Sequence, residues 1–343
     1  MAQDTVPKQL TAFQREHRRR QAQWKRTWPG LPDAARQPGH WKAYRPDFIL
    51  PAAFADKNIW EPIRQELLEY FRANKIAWHD QEQTAYGPRD GAGPSPHLLD
   101  SQVSGVNFWW GLARSPKPLR TALRYAFDDV ESVVAPKECG PLVEAEWVGL
   151  CSYLGERGWP QRGQYATSAD LLLASVDEGG ERHGVLLESK YTEAYQPERW
   201  LDCGPSGQTR IATYQPYFER ADGPIRQDFG IGLADLLIEP FYQHLRQQLL
   251  AGAMEREKEL GFETVTCLHV APRANAELHA RITAPKLADR GTDVGEAWRS
   301  VLRQPTRYRS VAYEDVFNAV VGVKDPAVAD WVEYQRARYG WDR

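Results

Sequence analysis

The 343-residue chain has little with which to build a sulfur-ligand metal site: its four cysteines, Cys139, Cys151, Cys203 and Cys267, stand far apart, with no CxxC pair and no Cys/His spacing suited to zinc. At this length a disulfide framework is equally unexpected. No apolar run is long enough to cross a bilayer, and no apolar N-terminal stretch of signal type is present, so the expectation is a soluble, cytoplasmic protein with no membrane partner. Walker A and dinucleotide-binding glycine patterns are missing, as is any repeat of solenoid type. Charge of one sign is missing too: 43 Lys and Arg face 46 Asp and Glu, a formal net charge of -3. Contact with nucleic acid would therefore have to come from local basic patches rather than a global field. What the chain does have is a hydrophobic content of 42%, enough for a sizeable core in one large domain or two small ones.

One stretch organises the rest, Thr167 to Glu193, reading TSADLLLASVDEGGERHGVLLESKYTE. Two apolar runs, Leu171 to Val176 and Val185 to Leu187, flank a polar, glycine-containing turn at Asp177 to Arg182. That pattern predicts an antiparallel hairpin. Both runs are apolar on both faces, as central strands covered by helices are. Asp170 precedes the first run, and Glu188, Ser189 and Lys190 follow the second. Side chains alternate along a strand, so Glu188 and Lys190 share a face and Ser189 points away. The hairpin thus gathers two carboxylates and one ammonium at one sheet edge. Paired carboxylates suit a hard divalent cation such as Mg²⁺, with the Ser189 backbone carbonyl as a further ligand. A lysine beside it can orient or deprotonate water, or stabilise charge on a phosphate. The same residues also read as a turn aspartate and two exposed strand-end charges, and the spacing alone leaves both readings open.

Asp170 with Glu188-Ser189-Lys190 resembles the signature of the PD-(D/E)XK nuclease superfamily, and TSAD…LLESKYTE is similar to a bacterial group of restriction-endonuclease-like proteins within it. Leu98-Leu99-Asp100-Ser101-Gln102 with Val106-Asn107-Phe108 resembles that group's upstream segment. Phe241 to Ala251 resembles its helix after the hairpin, and Leu268-His269-Val270-Ala271-Pro272 with Asn275 the strand that follows. The likeness spans about residues 95 to 280 and departs at Ala169, where the signature has proline. It implies an α/β fold: a restriction-endonuclease-like mixed β-sheet core flanked by α-helices, with N- and C-terminal helical elaborations. It implies a nuclease dependent on Mg²⁺ or Mn²⁺ that hydrolyses phosphodiesters in DNA, with RNA left open, in defence or repair. Asp170, Glu188 and Lys190 would be catalytic, the first two holding the metal with the Ser189 carbonyl. Many members carry another upstream acid, for which Glu146 stands ahead of Glu144 and Glu156; the alternative for both strand glutamates is a solvated edge. The helix after the strand often lends a glutamine or a basic residue, here Arg246 or Gln247, for substrate. A homodimer is compatible with the resemblance. The rival reading is a nuclease-like protein that binds nucleic acid or a partner without cutting.

Around this centre, residues 1–95 are expected to supply a basic helix, a proline-rich segment and a further helix at Pro62 to Asn74. The basic helix, with Phe13, Trp24 and Trp28 interleaved, either touches a nucleic-acid backbone or docks its aromatic side on the body. Residues 96–343 are expected to form the nuclease-like domain, packed with the N-terminal part as one unit. Ser101, Gln102 and Asn107 read as buried bracing groups. A helix is predicted at Leu119 to Val130, and a leading strand at Leu142 to Leu150 with Glu144 and Glu146 on one face. An insertion near 192–234 mixes aromatics with Arg199 and Arg210, which suit either a phosphate-gripping surface or a loop pinned to the body. Further helices are predicted at Asp235 to Leu260, Tyr313 to Val321 and Asp325 to Gly340, with a strand at Glu263 to Val270.

Overall fold

The computed structural model describes residues 10–41, 43–78, 93–160, 166–195, 200–201 and 204–342, together with the backbone of 83–84 and 87–88. The predicted hairpin is the centre of a six-stranded mixed sheet. Its strands are β1 (Ser132–Val134), β2 (Val143–Trp147), β3 (Ala169–Val176), β4 (Arg182–Ser189), β5 (Phe262–Ala271) and β6 (Tyr308–Ala312). Both β1 and β2 pair antiparallel with β3, which pairs antiparallel with β4. The strands β5 and β6 continue the sheet in parallel register from β4. The hairpin turn closes through the Asp177 N–H to the Glu181 carbonyl, 3.1 Å, and Gly180 takes φ +83° there, a left-handed conformation open to glycine.

Alternation along the strands divides the core in two. Leu171, Leu173, Val185 and Leu187 face one apolar cluster, and Leu172, Ala174 and Leu186 face the other. The first cluster is built with helices α1 (Ala12–Thr27), α2 (Glu61–Ala73), α3 (Ser101–Leu112) and α4 (Pro116–Ala126). The second takes residues from α5 (Gly204–Phe218), α6 (Phe241–Arg256) and α7 (Val294–Ser300). The C-terminal helices α8 (Tyr313–Gly322) and α9 (Ala329–Arg338) return to the first cluster. This is the expected class, a mixed sheet flanked by helices, consistent with a restriction-endonuclease-like core. Among the described residues no helix is long and apolar enough to cross a membrane.

Three local expectations need correction. The helix predicted from Asp235 starts only at Phe241, because Pro240 lacks the N–H and the freedom in φ that a helix interior needs. It stops at Arg256, and Lys258 and Leu260 then take left-handed φ near Gly261. The helix predicted to reach Val130 ends at Ala126, where Phe127 turns extended. The insertion is not all loop, since α5 occupies much of it.

The basic N-terminal helix docks on the body. Thr11 and Gln14 form a capping box at its start, and His17, Gln21, Trp24 and Lys25 are its buried side. The Tyr191 hydroxyl, just past the end of β4, meets His17 Nδ1 at 2.9 Å and accepts from the Gln21 amide at 2.9 Å. Helix α1 therefore grips the chain one residue beyond Lys190.

Candidate active site

The β3–β4 register pairs Leu171 with Leu187 and so brings Asp170 alongside Glu188. The Ser189 N–H donates to Asp170 Oδ2 at 2.8 Å, and the Lys190 ammonium donates to Glu188 Oε1. Ser189 turns its side chain the other way, where its hydroxyl shares a 2.6 Å hydrogen bond with the Tyr313 hydroxyl. Lys190 is held in line by its N–H, which donates to the Val270 carbonyl of β5 at 2.8 Å. The three signature side chains thus lie together at one edge of the sheet.

The two upstream glutamates have separate partners. Glu146 takes φ +50° in the middle of β2. That left-handed residue breaks the alternation: Val143 and Ala145 enter the first core cluster, whereas Trp147 enters the second. Glu144 pairs with Lys137 at 2.7 Å and accepts from the Tyr70 hydroxyl at 2.7 Å. Glu146 accepts from Gln102 Nε2 at 2.8 Å and from the Ser168 hydroxyl at 3.1 Å, two residues before Asp170. Neither glutamate lies on a solvated edge, for Glu144 is 2% and Glu146 5% exposed. Glu156 stands apart: it accepts from the Thr167 N–H and hydroxyl and from the Tyr214 hydroxyl, pinning α5 to the entry of β3.

Helix α6 lies against this edge. Gln243 and Gln247, one turn apart, direct their amides at the same carboxylate: Gln243 Nε2 donates to Glu188 Oε1 at 2.6 Å, and Gln247 Nε2 donates to Glu188 Oε2. Gln247 also reaches the Ser168 carbonyl at 3.3 Å, so its amide is committed to the carboxylate cluster. The Tyr195 hydroxyl meets Gln243 Oε1 at 3.5 Å, which turns the amide N–H₂ toward Glu188. The sequence marks Gln247 on this helix and gives Gln102 a bracing role, but carries no local signal for Gln243 or Tyr195 at the site. Asn107 is a bracing group, accepting from the Trp60 N–H and donating to the Asn58 carbonyl.

Arg246 and Arg210 both stack on Tyr242, with guanidinium carbons 4.8 Å and 5.7 Å from the ring centroid. Arg210 also donates to the Leu201 carbonyl at 3.0 Å, while Arg246 Nε is buried without a partner. Arg199 lies outside the described residues. His244 and His269 are buried packing residues of α6 and β5.

The charges explain one another. Burial, then the nearby charge of Glu188, with Glu146 behind, pushes the Asp170 carboxyl well above the usual carboxylate range; Lys190 and the Ser189 N–H oppose this. Burial disfavours the Lys190 ammonium, but Glu188, with Tyr195, Asp170 and Glu193, outweighs it and holds that pKa well above a free lysine's. Asp170, Glu188 and Glu193 thus all act on the one ammonium of Lys190. Among the described residues no group of three or more His, Cys, Asp or Glu side chains stands ready as a metal-binding set. The hard oxygen donors of Asp170 and Glu188 still match Mg²⁺ or Mn²⁺, since Mg²⁺ keeps most of its waters and takes only one or two carboxylates.

Residues 18–340 match the family model described as Restriction Endonuclease associating with ARP. No curated protein and no solved structure matches the chain.

Proposed function

Since the chain belongs to the family of restriction endonucleases associating with ARP, we propose that it is a nuclease that hydrolyses phosphodiester bonds in DNA with Mg²⁺ or Mn²⁺. The observation that carries this reading is the meeting of Asp170, Glu188 and Lys190 at one buried sheet edge, with an excess of carboxylates over ammonium. Such an excess is relieved by a divalent cation.

On this reading Asp170 and Glu188, with the Ser189 carbonyl, hold the cation, and Glu146 is the third acid. When bound, the metal supplies a Lewis acid for the phosphate and acidifies water. Lys190, paired with Glu188, lies where it can orient the attacking water and take up charge on the phosphate. Gln243 and Gln247 fix the Glu188 carboxylate between them. Attack is in line, without a covalent enzyme intermediate. Arg246 and Arg210, carried on Tyr242, offer cations to the nucleic-acid backbone. The family description names an association with ARP, and we take this chain to act in that company.

A second reading, binding without cutting, draws support from the same clasp: both oxygens of Glu188 and both of Glu146 already accept hydrogen bonds. Incubation with linear, circular, single-stranded and duplex DNA, with Mg²⁺, Mn²⁺ or chelator, separates the two. The nuclease reading expects metal-dependent cutting that Lys190→Ala abolishes. DNA binding that is metal-independent, with no cutting on any substrate, would favour the second.

A further inference from the structure

Helix α1 carries six Lys or Arg and one Glu, in a chain whose net charge is -3. At about 100° per residue, His17, Gln21 and Trp24 share one side of it, and all three are buried. Arg15, Arg19 and Arg26 fall opposite them within an arc of about 40°, and all three are exposed. Docking on the body thus leaves an outward stripe of arginines. Docking and contact with a nucleic-acid backbone are not alternatives for this helix, since each uses a different side.

The stripe is lightly engaged. Arg19 pairs with Glu16 at 2.7 Å and Arg26 with Asp47 at 3.6 Å, and both partners of each pair are exposed. Such surface pairs are worth little, so either guanidinium can exchange its carboxylate for a phosphate. Arg15 donates to the Leu10 carbonyl and has no carboxylate within ion-pair distance among the described residues. The helix is also tied to the carboxylate edge. Gln14 Nε2 donates to the Thr192 carbonyl at 2.8 Å, two residues past Lys190, and His17 and Gln21 both meet the Tyr191 hydroxyl. Arg15 follows Gln14, so the stripe begins beside the end of β4 and runs on along the helix. From Arg15 to Arg26 it spans about 16 Å, the length of about five base pairs. A positive stripe on a chain of negative net charge suits a polyanion. Its start at an edge that would cut phosphodiesters favours a nucleic-acid backbone over an acidic protein.

Given that the chain is a nuclease as proposed above, the geometry points to α1 as a track for the phosphate backbone of duplex DNA, with Arg15, Arg19 and Arg26 gripping the flank beside the scissile bond. Contacts of this kind position the duplex without reading its sequence. The test is the affinity of the full chain for a short labelled duplex across a range of salt, with chelator and with Ca²⁺ in place of Mg²⁺. Each of Arg15→Gln, Arg19→Gln and Arg26→Gln is expected to flatten the slope of log affinity against log salt by about 0.9, the worth of one phosphate contact. The triple variant is expected to raise KM for cleavage in Mg²⁺ and leave kcat nearly unchanged, because backbone grip serves substrate and transition state alike. All three side chains are exposed, so the urea midpoint should stay where it is. Arg226, exposed and next to Ile225 of the second core cluster, lies across the sheet from α1, and Arg226→Gln is expected to leave the slope unchanged. Unchanged slopes in the three α1 variants of a protein that binds and cuts DNA would overturn the track alone. Equal flattening by Arg226→Gln would also overturn it, by making the effect one of net charge. If the unaltered protein neither binds nor cuts any DNA, the nuclease reading falls and the track falls with it.

Discussion

Gly105 of α3 lies so close to Ser189 that a Cβ at position 105 would sit 2.7 Å from the Ser189 hydroxyl oxygen and 2.9 Å from its Cβ. The helix is thereby pressed on the strand residue between Glu188 and Lys190. Gly105→Ala must push β4 or α3 aside, at about 1–3 kcal/mol, the usual cost of overpacking. Gly111→Ala makes a similar clash, with Trp331 at 2.5 Å, but far from the site. Both variants should lower the urea midpoint, while only Gly105→Ala should also slow DNA cleavage measured well below its unfolding temperature. Equal cleavage by the two would mean that this contact does not shape the site.

The two upstream glutamates should behave differently. Glu146→Gln removes a negative charge from the Asp170–Glu188 cluster, and cleavage should fall by about 100-fold, in the range of a lost catalytic carboxylate contact. Glu144→Gln removes a buried carboxylate from its pair with Lys137, so stability should fall by about 1–3 kcal/mol while cleavage stays within a fewfold. Single-turnover rates for both variants decide between them; a reversed order would make Glu144 the third acid.

The glutamine clasp is a positioning device. Gln243→Leu or Gln247→Leu should lower the cleavage rate by about 10–100-fold and shift the Mg²⁺ concentration needed for half-maximal rate, as loss of an outer support to a ligand does. A purely structural role would lower the rate without moving the Mg²⁺ dependence, so the titration is the informative measurement.

His244 ties stability to pH. Both its ring nitrogens are buried without partners, and burial, then the Lys190 charge, pulls its pKa from 6.5 to about 3. Burial likewise takes His17 to about 4, with Arg20 adding to the effect. The unfolded chain takes up these protons near the ordinary histidine value and the folded chain resists them. Their contribution is therefore complete above pH 6.5 and lost as pH falls toward 4 and below. For His244 the loss is about 2 kcal/mol by pH 5. Urea unfolding at pH 7 and pH 5 should show a smaller difference in His244→Leu than in the unaltered protein; an unchanged difference would remove His244 from the account.

Much of this arrangement is legible from the residues. The hairpin follows from two apolar runs and a glycine turn, and antiparallel pairing alone brings Asp170 beside Glu188. What escaped the sequence depends on neighbours distant along the chain. A left-handed glutamate in a strand is held by its surroundings rather than by its own preference, so nothing local announces the break at Glu146. Gln247 stands out on the helix in the sequence, but the carboxylate that it and Gln243 meet lies 59 and 55 residues earlier and is not announced locally. Proline at 240 was a readable stop that apolar periodicity outweighed.

The grip on Tyr191 bears on when this protein becomes active during its own synthesis. Tyr191 is held by His17 from far upstream, and its ring meets Tyr339 and Trp341 at centroid distances of 5.5 Å and 5.8 Å from far downstream. A ribosome that has just completed Lys190 has made every signature residue but not the aromatic closure that holds the next position in place. Contacts of such long span form late, after the chain that supplies them has emerged. On the nuclease reading, the expected consequence is a nascent chain that does not cut until Tyr339 and Trp341 have been made. A chain truncated before Ala329 should keep hairpin-like sheet signal by circular dichroism yet show no cleavage; full activity in that fragment would refute this timing.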